Sequence, residues 1–105
     1  MEQQKVPTVY ILASQPHGTL YIGVTSDLCS RVSLHKQKYL GGFTAKHNVE
    51  KLVYFEFFSS MDLAIQREKQ MKDWKRIWKI QLVEKMNPQW LDLFAETCGR
   101  FDIAN

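Results

Sequence analysis

Apolar and β-branched residues gather in two short runs near the start of the chain, residues 6–13 and 19–25, with Gln15-Pro16-His17-Gly18 between them. Runs of this length, bounded by turn residues, predict the two arms of a β-hairpin. Side chains alternate faces along a strand. Tyr10 and Tyr21 therefore share one face, with Val9, Ile11, Leu20 and Ile22 on the other, only if the loop is even-numbered or bulged. A third run, Leu52-Val53-Tyr54-Phe55-Glu56-Phe57-Phe58, is apolar on both faces apart from Glu56 and reads as a strand covered on both sides.

Helical signals fill the remainder. Thr25, Ser26 or Asp27 can cap a helix running to about Lys38, because a side-chain oxygen there accepts a bond from an otherwise unpaired first-turn amide. Residues 39–49, with Gly41-Gly42, read as a loop. A last helical region starts at Ser59 or Ser60 and runs to Asn87-Pro88, with Asp62 in a loose capping box. Its length predicts a break near Trp74 to Arg76. Trp74, Trp78, Leu82 and Met86 form a row at helical spacing beside Ile77, Ile80 and Val83, the pattern of a buried stripe. The pattern as a whole is that of an α+β domain, taken as residues 7–94 between an N-terminal tail (1–6) and a C-terminal tail (95–105), with residues 99–105 free to fray.

Composition narrows the class only a little. At 105 residues and 45% hydrophobic, the chain suits one domain with one core. Fourteen Lys and Arg against eleven Asp and Glu give +3, a balance compatible with a nucleic-acid partner but ordinary in itself. Distribution says more: Arg67, Lys69, Lys72, Lys75, Arg76, Lys79 and Lys85 outnumber Glu68, Asp73 and Glu84 in the last helical region, which suggests a phosphate-facing surface. Cys29 and Cys98 have neither zinc nor disulfide-scaffold spacing and are expected as reduced thiols. The N-terminal Met-Glu-Gln-Gln-Lys lacks a signal-peptide core, and no apolar run is long enough to span a membrane, so the expected location is cytoplasmic.

The candidate chemistry lies in an ordered set: Tyr10, Tyr21-Ile22-Gly23, Arg31, His35, Glu68 and Asn87. Two phenols on a hairpin, a cation and an imidazole one helical turn apart, and a later acid suit phosphodiester hydrolysis, which needs a placed nucleophile, a cation near the phosphoryl oxygens and a metal ligand. Each residue also has an ordinary reading: a core tyrosine, a solvated Arg/His face, a surface acid flanked by Arg67 and Lys69, or a helix-capping asparagine at Asn87. Trp74, Trp78 and Trp90 read as core rather than as base-stacking platforms.

With these residues in view, the chain resembles the GIY-YIG endonucleases over residues 7–94, in particular small single-domain proteins similar to the excinuclease N-terminal nuclease domain. The spacing of Tyr10 from Tyr21 and the complete Tyr21-Ile22-Gly23 triplet carry the likeness, as do the later phrases from Arg67 to Trp74 and from Asn87 to Leu93. In the first motif, Thr8 and Val9 stand where the family has glycine and isoleucine. The resemblance implies a small three-stranded antiparallel sheet flanked by helices and a metal-dependent endonuclease acting on nucleic acid, DNA first. It implies Tyr10 as the residue orienting or deprotonating water, with His35 as relay partner. Tyr21 would position phosphate, Arg31 would meet transition-state charge, Asn87 would support the site, and Glu68 would hold one Mg2+ or Mn2+. Lys46, Lys72, Lys75 and Arg76 are the candidate phosphate contacts. The alternative is a non-cleaving nucleic-acid-binding module of the same fold acting with a partner protein.

Overall fold

The computed structural model describes residues 5–99. β1 (Thr8–Ala13) is the central strand of an antiparallel sheet, flanked by β2 (Leu20–Thr25) and β3 (Lys51–Phe57) in the order β2-β1-β3. The hairpin register pairs Tyr10 with Gly23, Ile11 with Ile22 and Leu12 with Tyr21. Six residues connect the two strands, the even number that puts Tyr10 and Tyr21 on one face. The loop closes through Ser14 N to Thr19 O (3.0 Å) and Gly18 N to Gln15 O (2.9 Å).

β3 meets β1 with a register shift, Ile11 opposite Tyr54 but Leu12 opposite Leu52. Val53 is the extra residue of this bulge. It joins Tyr54 in the core on one side of the sheet, while Leu52 and Phe55 pack on the other. The apolar run is thus covered on both faces, as its composition predicts.

Among the described residues, five helices surround the sheet: α1 (Leu28–Lys36), α2 (Gly42–Lys46), α3 (Met61–Lys72), α4 (Arg76–Met86) and α5 (Phe94–Cys98). Asp27 caps α1 by accepting from Ser30 N at 3.3 Å, and Ser60 caps α3 by accepting from Leu63 N at 3.3 Å. The break in the long helical region falls between α3 and α4, where Lys75 turns extended (ψ 148°). On one face of the sheet, Leu28 and Val32 of α1 pack on Tyr10, Leu12, Val49 and Leu52, with Phe94 of α5 beside them. On the other, Ala64 and Met71 of α3 and Val83 of α4 pack on Val9, Ile11, Ala13 and Ile22.

Four expectations change. The segment 39–49 contains the helical turn α2, entered through Gly41 and Gly42 at φ 63° and 67°. The row on α4 is only half covered: Val83 is buried, but Ile77, Trp78 and Met86 are 52%, 48% and 46% exposed, because one side of the helix meets the sheet and no further layer among the described residues lies over it. Trp90 is core as expected, its Nε1 donating to Glu84 Oε2 at 2.8 Å. Cys29 and Cys98 are not reduced thiols but a disulfide, since α5 folds back onto α1 and brings Cα atoms 69 residues apart in sequence to 5.7 Å. The same packing makes a helix of part of the expected C-terminal tail. Residues 1–4 and 100–105, which include most of both expected tails, lie outside the described residues. No helix among the described residues is long and apolar enough to cross a membrane.

Candidate active site

The site begins with a missing side chain. A Cβ on Gly23 would stand 2.5 Å from both Cζ and Oη of Tyr10. Glycine at this register position is what lets the Tyr10 phenol lie across β2. Sequence alone marks Gly23 as a motif residue; only the strand pairing reveals it as the seat of the other tyrosine.

Tyr10 is 1% exposed, and its hydroxyl lies 3.1 Å from Nε2 of His35. His35 is also buried, in the last turn of α1, and its Nδ1 lies 3.1 Å from Oγ1 of Thr44 on α2. Every polar atom in this buried chain therefore has a partner, which is what permits polar groups to be there at all. Thr44 is a site residue that sequence reasoning misses, favouring its neighbour Lys46. The glycine pair that bends α2 back toward α1 is the available signal.

Tyr21, half-buried, places its ring centroid 5.4 Å from that of His35 and 6.3 Å from that of Tyr10. Arg31, one turn before His35 on α1, is exposed. Tyr21, Arg31, His35 and Thr44, with Leu40 and Phe43, line a cleft of about 230 Å³. Among the described residues, neither the Tyr21 hydroxyl nor the Arg31 guanidinium takes a hydrogen-bonding partner, so both are available to a ligand in the cleft. A separate cleft near Val6, Phe57 and Thr97 is lined largely by apolar groups, and its one carboxylate, Asp27, is already committed as a helix cap.

Charge and burial tune the two central groups. Burial pushes the Tyr10 phenol above its ordinary value, the Tyr21 phenol and the Glu68 charge add to that, and Arg31 opposes it. Tyr10 is thus a protonated phenol at neutrality. Burial and then the Arg31 charge lower the His35 pKa, so its imidazole is neutral and can accept a proton.

Glu68 follows Ala64 by four residues and precedes Met71 by three, and both of those neighbours are in the core. Its side chain is accordingly only 15% exposed, which corrects the expectation of a surface acid. An acid on the buried stripe of a helix is a signal that the spacing itself carries. Its carboxylate Oε2 pairs with Lys72 Nζ at 3.0 Å. The described residues hold no group of three or more His, Cys, Asp or Glu side chains arranged for a metal. One carboxylate nevertheless suits Mg2+ or Mn2+, because such ions commonly take one or two protein carboxylates and complete their shell with substrate phosphate and water.

Glu68 does not line the cleft, although its charge is felt at Tyr10, and the remaining candidates also lie outside it. Asn87 ends α4, where its backbone N–H donates to Val83 O (2.7 Å), while its side chain donates to Val53 O (3.1 Å) and Leu91 O (2.8 Å) and accepts from Leu91 N (3.0 Å), tying the turn after the helix to β3. Arg76 is committed to the hairpin loop, donating to His17 O and Gly18 O at 2.8 and 2.6 Å. Lys72 is held by Glu68, and Lys75 lies 5.8 Å from the Trp78 ring centroid. Lys46 is exposed on α2.

Comparison with known sequences agrees with this architecture. Residues 6–81 match the family profile described as the GIY-YIG catalytic domain. The chain is 37% identical over 82 residues to a UPF0213 protein of Syntrophus aciditrophicus, covering 77% of this chain and 92% of the relative. It is 37% identical over 75 residues to a UPF0213 protein of Clostridium perfringens, covering 71% and 80%. A UPF0213 protein of Streptococcus pneumoniae is 30% identical over 92 residues, covering 87% and 92%. No solved structure gives a significant match.

Proposed function

The chain belongs to the GIY-YIG family, a nuclease-type family, and we propose that it is an endonuclease hydrolysing phosphodiester bonds in nucleic acid, DNA first, with one Mg2+ or Mn2+. The observation that carries this reading is the cleft itself. It opens two uncommitted groups suited to phosphate, Tyr21 and Arg31, beside a buried phenol whose oxygen lies 3.1 Å from an imidazole nitrogen.

In this reading Tyr21 positions the phosphate and Arg31 offsets the negative charge that grows on the phosphoryl oxygens in the transition state. A buried phenol with a raised pKa cannot serve as a free phenolate near neutrality. Tyr10 therefore works as the middle of a relay: its oxygen takes a proton from the attacking water as its own proton passes to Nε2 of His35. Glu68 would hold the divalent cation, which when bound supplies Lewis-acid polarisation of a phosphoryl oxygen. Asn87 supports the site at a distance, by fixing the turn after α4 against β3. Lys46, Lys72 and Lys75 contribute attraction to the phosphate backbone, with Lys72 shared between phosphate and Glu68. In this reading a partner protein supplies further specificity.

The test is cleavage of labelled single-stranded, duplex, flapped and branched DNA and of RNA, with and without Mg2+ or Mn2+, by the protein and by Glu68→Gln. We expect metal-dependent cutting by the first and none by the second, with weaker Mn2+ binding but retained fold and nucleic-acid binding. Binding without cutting by the unmodified protein would leave the non-cleaving module as the reading. Undiminished cutting by Glu68→Gln would remove Glu68 from the mechanism.

A further inference from the structure

A histidine can take a proton at Nε2 only if that nitrogen carries none already, so the other ring nitrogen decides whether His35 is useful. The hydrogen bond made at one nitrogen sets the tautomer presented at the other. Here both are occupied: Nε2 by the Tyr10 hydroxyl and Nδ1 by the Thr44 hydroxyl, each at 3.1 Å. A hydroxyl can donate or accept, so the two bonds admit two arrangements. Each arrangement has one hydroxyl donating to a ring nitrogen and one ring N–H donating to the other hydroxyl, and a phenol is a far stronger acid than an aliphatic alcohol while its oxygen is the poorer acceptor. The Tyr10 bond therefore runs from hydroxyl to Nε2, which leaves the hydrogen on Nδ1 and makes the Thr44 oxygen its acceptor.

We infer that Thr44 is the positioning residue of this site, its hydroxyl holding His35 in the Nδ1–H form so that Nε2 faces Tyr10 as a base. The inference rests on the nuclease reading of Tyr10 and His35. Thr44 acts through the imidazole, as the third member of a nucleophile, base and orienter arrangement does.

Its place in the fold supports the assignment. α2 is a single short helix with an exposed face, and its Thr44 is 6% exposed while neighbouring Phe43 is 53% exposed. The chain enters α2 through two consecutive glycines at positive φ, a backbone that other residues adopt only under strain. That turn carries the Thr44 hydroxyl to Nδ1. The orienter is also neutral. A carboxylate there would raise the basicity of the imidazole and draw its proton toward Nδ1, whereas a hydroxyl fixes the tautomer without adding charge. The titratable and charged groups facing His35 are Tyr10 from β1, Tyr21 from β2 and Arg31 from α1.

Long-range 15N–1H correlation of the imidazoles reads the tautomer directly, without reference to cleavage. With the intact protein near pH 7.5, we expect His35 in the Nδ1–H form, against the Nε2–H form that neutral imidazole ordinarily favours in water. His17 and His47 supply internal references. Thr44→Val removes the acceptor at nearly constant shape and should shift His35 toward Nε2–H; Thr44→Ser, which keeps the hydroxyl, should restore Nδ1–H. In the cleavage assay, Thr44→Val should lower turnover about 10- to 100-fold with KM little changed, the scale known for removal of the orienting partner of a metal-bound histidine. Thr44→Ser should recover most of it. An Nε2–H form in the unmodified protein, or a tautomer unmoved by Thr44→Val, would overturn the proposal. If the tautomers behave as expected and the unmodified protein cuts no nucleic acid, the positioning role stands and the nuclease reading fails.

Discussion

The two faces of the sheet are built from the same strands and obey different rules. Behind β1 and β2, Val9, Ile11, Ala13 and Ile22 meet Ala64, Met71 and Val83, a contact in which volume is the main constraint. In front, Tyr10 leans over a glycine, points at a buried imidazole and is covered by α1. One face holds the fold, while the other gives up packing freedom for fixed polar geometry. On the back face a substitution costs stability in proportion to what it removes. On the front a change of one carbon atom displaces a proton path.

That contrast can be broken by paired substitutions. Ile11→Ala leaves a cavity in the back face and should cost about 2–5 kcal/mol. Any protein that remains folded should keep the His35 tautomer and its turnover. Gly23→Ala should cost less, about 1–3 kcal/mol as an overpacking change. Its added carbon nevertheless drives Tyr10 from His35, and a displacement near 1 Å is enough to lower turnover by about 100-fold. Denaturant midpoints and turnover per folded molecule check both. A Gly23→Ala protein that cuts normally would show that the close packing over β2 has no part in the chemistry.

What is legible in the sequence follows the same divide. Local patterns show the strands, a tyrosine face shared if the loop is even-numbered or bulged, caps at Thr25, Ser26 or Asp27 and at Ser59 or Ser60, and a break near Trp74 to Arg76, because each depends on neighbours within a turn or a hairpin. Gly23 and Thr44 are not readable as partners of Tyr10 and His35. Their roles come from strand register and from a glycine-bent segment returning to α1, juxtapositions that periodicity does not encode. The Cys29–Cys98 bond is hidden for the same reason. The half-exposed stripe on α4 errs the other way: helical spacing gives an apolar side but not how much of it the rest of a small domain can cover. Glu68 as metal ligand is an expectation from resemblance, yet its spacing from Ala64 and Met71 already argues against a surface acid.

A smaller effect separates the faces by pH. The His35 pKa is lowered by burial and by Arg31, so below the unfolded-state value of about 6.5 the unfolded chain takes up a proton that the folded form resists. Stability contributed by the neutral imidazole is therefore full above that value and declines as pH falls toward the folded pKa. Between pH 7.5 and 5, the wild-type protein should lose more stability than His35→Asn. His17 and His47 are common to both proteins, so the difference between the two curves isolates His35. Cleavage should persist to lower pH than an ordinary histidine base would allow. Identical pH–stability curves would mean that the front face does not bury its base.

The finest comparison sets one helix cap against another. Asp27 accepts the Ser30 amide at the start of α1, and Ser60 accepts the Leu63 amide at the start of α3, at the same 3.3 Å. Replacing either with Ala should cost about 1 kcal/mol, the usual value of a lost N-cap. An acid at a helix N-terminus also meets the positive end of the helix dipole, so the Asp27 loss should be the larger of the two by a few tenths of a kcal/mol. Their consequences at the site should differ more than their costs. α1 carries both Arg31 and His35, and although Leu28 and the Cys29 disulfide anchor its first turn, Arg31 donates its own amide to Asp27 O there at 3.0 Å. α3 is pinned by Ala64 and Met71 on either side of Glu68. Asp27→Ala should therefore raise amide exchange at the start of α1 and weaken nucleic-acid binding several-fold, with Asp27→Ser recovering both. Ser60→Ala should come close to it in stability and leave binding unchanged. Equal effects of the two substitutions on binding would show that the front face is no more sensitive to helix order than the back.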